Sequence, residues 1–148
     1  MKKIIYIDMD NVLVDFKTGI DKLDENTIKK YEDHLDDVPG IFSLMEPMPG
    51  AIEAFITLSS SDKYDVYILS TAPWENNTAW SDKLDWVKKY LGDNAHKRLI
   101  LSHHKNLNSG DYLIDDRTRN GADKFVGEHI HFGQEDFKTW KEVLNYLK

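Results

Sequence analysis

The 148-residue sequence contains no cysteine and only four prolines. Without cysteine, disulfides, thiolate nucleophiles and cysteine-based zinc sites are excluded. No apolar run approaches the ~18 residues that a membrane-spanning helix needs. Lys2 and Lys3 precede a short apolar run, but Asp8 interrupts that run too early for a signal peptide. These absences predict a cytoplasmic protein that does not cross a membrane.

Positive charge is also scarce. The chain has 19 lysines and arginines against 26 aspartates and glutamates, which gives a formal net charge of −7. This balance argues against a nucleic-acid polymer or an anionic membrane as a partner. A small phosphate can still bind where positive charge is local. The length is that of a single domain, residues 1–148, with room for a hydrophobic core.

Short apolar segments alternate with amphipathic ones along the chain. We predict strands at Ile4–Ile7, Tyr64–Leu69, Lys97–Leu101, Tyr112–Ile114, Phe125–Val126 and His129–Phe132. We predict helices at Ala51–Ser60 and Thr78–Tyr90, and a closing helix from Phe137. Trp80, Leu84, Val87 and Leu91 are expected on the buried face of the second helix. Strands that alternate with helices predict an α/β fold with a parallel sheet.

The first predicted strand ends in two carboxylates, Asp8 and Asp10. A charge at the end of a buried strand costs several kcal/mol unless it is paired or bound to a metal. Open α/β sheets bind their ligands at this edge. The pair is therefore interpreted as a Mg²⁺ site that includes a carboxylate nucleophile, in preference to an acidic turn that caps a helix.

Residues 16–49 are too long and too irregular for a simple crossover helix. A charged helical segment is expected here, with Asn26 as its N-cap, followed by an apolar loop at Ile41–Met45. Pro47–Gly50 then marks a turn before the next helix. We interpret the stretch as a small helical insertion that covers the site.

Polar side chains follow four of the predicted strands. These side chains are Asp8 and Asp10, Ser70 and Thr71, Lys105, and Asp115 and Asp116. All carboxyl ends of parallel strands lie at one edge of a sheet, so these groups can converge. Carboxylates hold Mg²⁺, and a hydroxyl and a lysine neutralise phosphoryl oxygens. One aspartate can attack phosphorus, so the set predicts phosphoryl transfer.

The order of these groups resembles the haloacid-dehalogenase superfamily of phosphatases. More narrowly, the segments DMDNVLVDF, FSLMEPMPGA, ILSTAP and DYLIDD, together with Lys105, resemble 5′(3′)-deoxyribonucleotidases. The resemblance covers nearly the whole chain. It implies a three-layer Rossmann-like parallel sheet with a small helical cap after the first strand, which residues 16–49 would form.

The resemblance also implies roles for individual residues. Asp8 would be the nucleophile, and Asp10 the general acid and base whose backbone carbonyl binds Mg²⁺. Ser70, Thr71 and Lys105 would bind phosphate. Asp115 and Asp116 would complete the metal site. The residues Phe16, Phe42 and Trp74 would line the nucleoside pocket, for which a deoxynucleoside monophosphate is the expected substrate.

Two other functions share part of this pattern. A response-regulator receiver also uses aspartates, Mg²⁺, a hydroxyl and a lysine, but there the acceptor aspartate ends the third strand and the lysine comes last. Here the Asp8 motif comes first and Lys105 precedes Asp115. A phosphatase of the same type that acts on a sugar phosphate or another small monoester stays open. The oligomeric state and the base preference also stay open.

Overall fold

The computed structural model describes residues 1–148. Its strands are β1 (Lys3–Ile7), β2 (Val14–Asp15), β3 (Glu46–Pro47), β4 (Tyr64–Ser70), β5 (Leu99–Leu101), β6 (Tyr112–Asp115) and β7 (Glu128–His131). Its α-helices are α1 (Phe16–Ile20), α2 (Glu25–Lys30), α3 (Ile41–Leu44), α4 (Ala51–Ser59), α5 (Thr78–Tyr90) and α6 (Trp140–Tyr146). No helix is both long and apolar enough to cross a membrane.

Five strands form one parallel sheet in the order β5-β4-β1-β6-β7. The central strand β1 pairs with β4 on one side and β6 on the other, so that Ile5 lies opposite both Val66 and Tyr112. The strand order reverses direction at β1, and such a reversal opens a crevice at the carboxyl edge of the sheet. The predicted α/β fold with a parallel sheet is confirmed. The strand predicted at Phe125–Val126 is absent, because the chain there leaves a 3₁₀ turn that ends at Lys124.

The two faces of the sheet are covered unequally. Alternate residues of β1 face opposite sides, and Ile5 and Ile7 belong to the main core, which also takes in apolar side chains of α4, α5 and α6. Tyr6 belongs to a small second cluster with Leu69, Leu113, Ala122 and Phe125. On that side the layer is built of 3₁₀ turns and irregular segments, so the third layer is thinner than the resemblance implies.

A separate two-stranded antiparallel ladder, β2 with β3, pairs the two ends of the insertion with each other. Between the two strands lie α1, α2, a 3₁₀ turn at Leu35–Asp37, and α3. Gly19 lets α1 approach α3 closely, because a Cβ there would lie 2.7 Å from Met45 Cγ. We call residues 16–45 the cap segment.

Two local predictions within this segment were wrong. Asn26 lies inside α2, and Asp24 is its N-cap, because the Asp24 carboxylate accepts a hydrogen bond from the Thr27 amide. Ile41–Met45 was expected to be a loop, but Ile41–Leu44 is helical. Ile41 and Phe42, the first two residues of this helix, are buried. A helix of four residues is not stable alone, so tertiary packing stabilises it here.

The buried face of α5 also differs from the prediction. Ala79, Lys83, Trp86 and Val87 are buried, whereas Trp80 and Leu84 are each 42% exposed. Val87 and Leu91 are buried as predicted, so the buried face departs from the prediction only in the first half of the helix, where it is rotated by about one residue. As a result, the side chain of Lys83 is buried between the sheet and the cap segment.

Candidate active site

Asp8 lies directly after β1, where its backbone amide donates to the carbonyl of Ile114 in β6. A tight turn follows, in which the amides of Leu13 and Val14 both donate to the carbonyl of Met9. Asn11 takes up the left-handed conformation in this turn, with φ of 61°, which asparagine tolerates better than most residues. The turn holds Asp8 and Asp10 at the carboxyl edge of the sheet.

Lys105 is the cation at the centre of the site. Its buried Nζ lies 3.1 Å from Asp8 Oδ1 and 2.5 Å from Asp115 Oδ2. Burial lowers the pKa of Lys105, but the two carboxylates outweigh it and raise the pKa above its ordinary value. The side chain is therefore a fixed positive charge between two strand ends.

Three carboxylates crowd together at this edge of the sheet. Oxygens of Asp8, Asp115 and Asp116 all lie within 4.8 Å of one another. Burial, and then the neighbouring carboxylates of Asp8 and Asp115, raise the pKa of Asp116 to about 7. Burial also raises the pKa of Asp115. Crowded oxygens with too little positive charge are the donor set that a hard divalent cation satisfies, so these residues fit the predicted metal.

Two histidines of β7 support the acidic pair from behind. His129 Nε2 donates to the carbonyl of Asp115 at 3.0 Å, and His131 Nε2 donates to the carbonyl of Asp116 at 2.9 Å. The two rings stack with centroids 5.0 Å apart. The two histidines fix the backbone that carries the carboxylates. They do not form a metal site with any third side chain.

Lys83 is a site residue that the sequence analysis missed. Its Nζ is fully buried and lies 3.1 Å from Asp10 Oδ1 and 2.8 Å from Ser70 Oγ. It also lies 4.5 Å from the centre of the Phe42 ring. Burial raises the pKa of Asp10, while Lys83 opposes that rise. Lys83 therefore orients the Asp10 carboxylate and keeps its charge compensated.

The two predicted hydroxyls occupy different places. Ser70 is fully buried, and its hydroxyl accepts a hydrogen bond from Lys83. It does not line the cavity that opens above Asp8 and Lys105. Thr71 lines that cavity, and its Oγ1 donates to the Ser102 carbonyl at 2.7 Å. The phosphate-binding role of both residues stays a prediction.

A cavity of about 710 Å³ opens above these groups. Asp8, Asp10, Lys105, Asp115 and Asp116 line it together, at the carboxyl ends of the strands, which we take as its base. Its walls include Phe16, the 76% exposed Trp74, the arginines Arg117 and Arg119, and residues 32–37 of the cap segment. Phe42 was predicted to line the pocket, but it is buried behind Phe16, with ring centroids 6.0 Å apart.

A solved structure supports the class of fold. A haloacid dehalogenase-like hydrolase from Streptococcus pneumoniae superposes with a TM-score of 0.61 at 16% identity, over 99% of both chains. The parallel sheet and its helices thus have a haloacid dehalogenase-like fold.

Sequence comparisons give the family. Residues 25–144 match the family model "5′ nucleotidase, deoxy (Pyrimidine), cytosolic type C protein". A protein of Vibrio phage KVP40, provisionally named 5′(3′)-deoxyribonucleotidase, is 60% identical over 99% of this chain and 85% of its own length. The chain belongs to the 5′(3′)-deoxyribonucleotidase family.

More distant members are longer than this chain. A relative from Bordetella pertussis is 35% identical over a match that covers 72% of this chain and 63% of the relative. The human 5′(3′)-deoxyribonucleotidase of cytosolic type is 29% identical over 73% of the chain, so the match spans about half of the human protein (48%).

Proposed function

We propose that this chain is a Mg²⁺-dependent phosphatase that hydrolyses deoxynucleoside monophosphates through a phosphorylated Asp8. Family membership supports hydrolysis of nucleotide phosphomonoesters. The observation that carries the chemistry is the convergence of Asp8, Lys105, Asp115 and Asp116 at the base of one cavity.

Carboxylates of Asp8, Asp115 and Asp116, with the backbone carbonyl of Asp10, would hold the metal. Mg²⁺ supplies charge neutralisation at the phosphoryl oxygens. Lys105 adds a positive charge from the side of Asp8, and Arg117 and Arg119 add more at the cavity wall. Phosphoryl transfer depends chiefly on such positioning and charge.

In the first half of the reaction, a carboxylate oxygen of Asp8 attacks phosphorus. The bond between phosphorus and the sugar oxygen breaks, and Asp10 gives its proton to that leaving oxygen. Burial favours the protonated form of Asp10 that this step needs. The products are a nucleoside and an Asp8 acyl phosphate.

In the second half, Asp10 is the base. It takes a proton from water as the water oxygen attacks phosphorus, and the bond between phosphorus and Asp8 breaks. Inorganic phosphate leaves, Asp8 returns as a carboxylate and Asp10 is protonated again. Lys83 holds the Asp10 side chain in place for both proton transfers.

The nucleoside would lie between Phe16 and Trp74 under the cap segment, which we propose as a substrate-covering unit of the single domain. The rings of Phe16 and Trp74 offer apolar surface to a base and to a sugar that lacks the 2′-hydroxyl. The direct test is a hydrolysis screen with Mg²⁺ over nucleoside monophosphates, sugar phosphates and other small monoesters. Turnover highest on deoxynucleoside monophosphates supports the proposal; turnover highest on a sugar phosphate contradicts it.

A further inference from the structure

Asn76 is a polar residue that the mechanism does not use, although it is only 1% exposed. It lies in the loop at residues 71–77, between β4 and α5. Its side-chain amide nitrogen donates to two backbone carbonyls of the cap segment, those of Asp36 at 2.9 Å and Val38 at 3.0 Å. A loop of the core thus hydrogen-bonds directly to the cap segment.

The other end of the amide is satisfied as well. Asn76 Oδ1 accepts from the amide of Thr78 at 3.2 Å and from its Oγ1 at 2.9 Å. Thr78 Oγ1 in turn accepts from the amide of Gly40 in the cap segment at 2.8 Å. Every donor and acceptor of the Asn76 side chain is therefore used in one orientation. Buried networks that are fully satisfied in this way rigidify the parts that they join.

The network joins two walls of the cavity. Trp74 and Glu75, in the same loop as Asn76, line one wall. Asp36 and Asp37, beside the carbonyls that Asn76 binds, line the other. The base of the cavity is held differently, by strand pairing and by the ion pairs of Lys105. Asn76 touches none of the groups that would meet the phosphate.

We propose that Asn76 is a positioning residue that sets the distance between the cap segment and the Trp74 loop, and so sets how the nucleoside part of the substrate is bound. This inference rests on the proposed function. It predicts that the network governs turnover of nucleotides and leaves turnover of a small acyl phosphate nearly unchanged, because such a small substrate needs only the base of the cavity.

The test compares kcat and KM on dUMP and on acetyl phosphate for N76D and N76A. Asn76→Asp keeps the shape of the side chain but removes both donors to the cap segment. The neighbouring Asn77 is exposed and its side chain makes no capping hydrogen bond, so N77D and N77A are matched controls. We expect KM for dUMP to rise by roughly 10- to 100-fold in N76D, the effect expected of misplaced binding groups. We expect kcat/KM on acetyl phosphate to stay within about twofold, as for a binding group that this small substrate does not reach.

Thr78→Val gives a second route to the same network, because it removes the acceptor of the Gly40 amide. Like N76D, it should raise KM for dUMP. If circular dichroism shows that the Asn76 variants do not fold, this variant provides the test instead. Equal losses on both substrates, or no change on either, would overturn the inference while the wild-type enzyme still hydrolyses dUMP. A wild-type protein that hydrolyses neither substrate would instead overturn the proposed function, and the inference with it.

Discussion

The base of the cavity and the cap segment, which we propose covers the cavity and call its roof, are built in opposite ways. At the base, Asp8 and Asp115 end neighbouring paired strands, and a buried lysine lies between them. At the roof, the cap segment consists of helices of four to six residues, which are too short to be stable alone. Contacts with α5 and the loop before it hold the roof, including Asn76 and the Trp86 indole, which donates to the Met45 carbonyl.

This difference separates chemistry from selection. A group fixed by the sheet keeps its geometry when the roof changes, so the residues at the base should govern the chemical step for every phosphate ester. A roof held by a few contacts can vary while the chemistry is kept, so its residues should govern which ester binds. The following predictions test that separation, from the largest expected effect to the smallest.

The largest effect is expected at the nucleophile. Asp8→Asn is nearly isosteric, so the fold should remain, while kcat should fall by at least about 10³-fold on every substrate. Steady-state kinetics would measure it, with the exposed Asp85→Asn as the control. A variant that keeps a tenth of the normal kcat would exclude Asp8 as the nucleophile.

Removal of the metal should be nearly as damaging. Excess EDTA should abolish hydrolysis, and added Mg²⁺ should restore it. Ca²⁺ should bind but support little turnover, because its larger and looser coordination misplaces the nucleophile. Activity would be followed by phosphate release, with binding of both ions measured by calorimetry. Full turnover in EDTA would contradict the metal site of Asp8, Asp115 and Asp116.

Asp10 should matter according to the leaving group. Asp10→Asn should lose roughly 10²–10⁴-fold on a nucleotide, whose alkoxide leaving group needs a proton. The loss in the first step should be smaller on an aryl phosphate, whose leaving group is more acidic. Single-turnover release of the leaving group separates this step from the later hydrolysis. Equal losses for both leaving groups would assign Asp10 to another role.

Lys83 should show an intermediate effect. Lys83→Met leaves the Asp10 carboxylate and the Ser70 hydroxyl without their buried partner. The free energy of unfolding should fall by about 1–3 kcal/mol, the usual cost of an unsatisfied buried group. Denaturant melts would measure it, with the exposed Lys88→Met on the same helix as the control. A melt and a kcat like those of wild type would show that the ion pair has no role.

The smallest effect is expected when the sugar of the substrate gains a 2′-hydroxyl, which the residues of the roof would contact. The two aromatic side chains Phe16 and Trp74 cannot strongly reject an added hydroxyl, and about 10²-fold is a realistic ceiling. We therefore expect kcat/KM for dUMP to exceed that for UMP by roughly 10- to 100-fold, and dUMP and dTMP to exceed dGMP. Equal values for dUMP and UMP would remove the deoxyribose preference and leave the chemistry of the base untouched.

The same division explains what the sequence could predict. Apolar runs that stop at Asp8, Ser70 and Asp115 predict the strands of the sheet and the polar residues that follow them. Because a parallel sheet brings such strand ends together, the same runs predict which residues lie at the base of the cavity. The roof was harder to predict. Its helices are short, and their buried residues are chosen by contacts with α5 that no local pattern records.

Lys83 shows why one important residue was missed. The helical spacing of Trp80, Leu84, Val87 and Leu91 predicted a buried face that does not include Lys83. The structure rotates the helix so that Ala79 and Trp86 pack inward with Lys83. Only the partners, Asp10 and Ser70, make that burial favourable, and they lie 73 and 13 residues away in the chain.

The central claim is that Asp8 carries the phosphoryl group, and the most direct measurement is to trap it there. Asp10→Asn, mixed with an aryl phosphate and Mg²⁺, should form the intermediate but lack the base to hydrolyse it. After an acid quench, in which acyl phosphates survive, mass spectrometry of the peptides should find one phosphoryl group on Asp8. A protein that releases the phenol but carries no phosphoryl group, or carries it on another residue, would contradict the account.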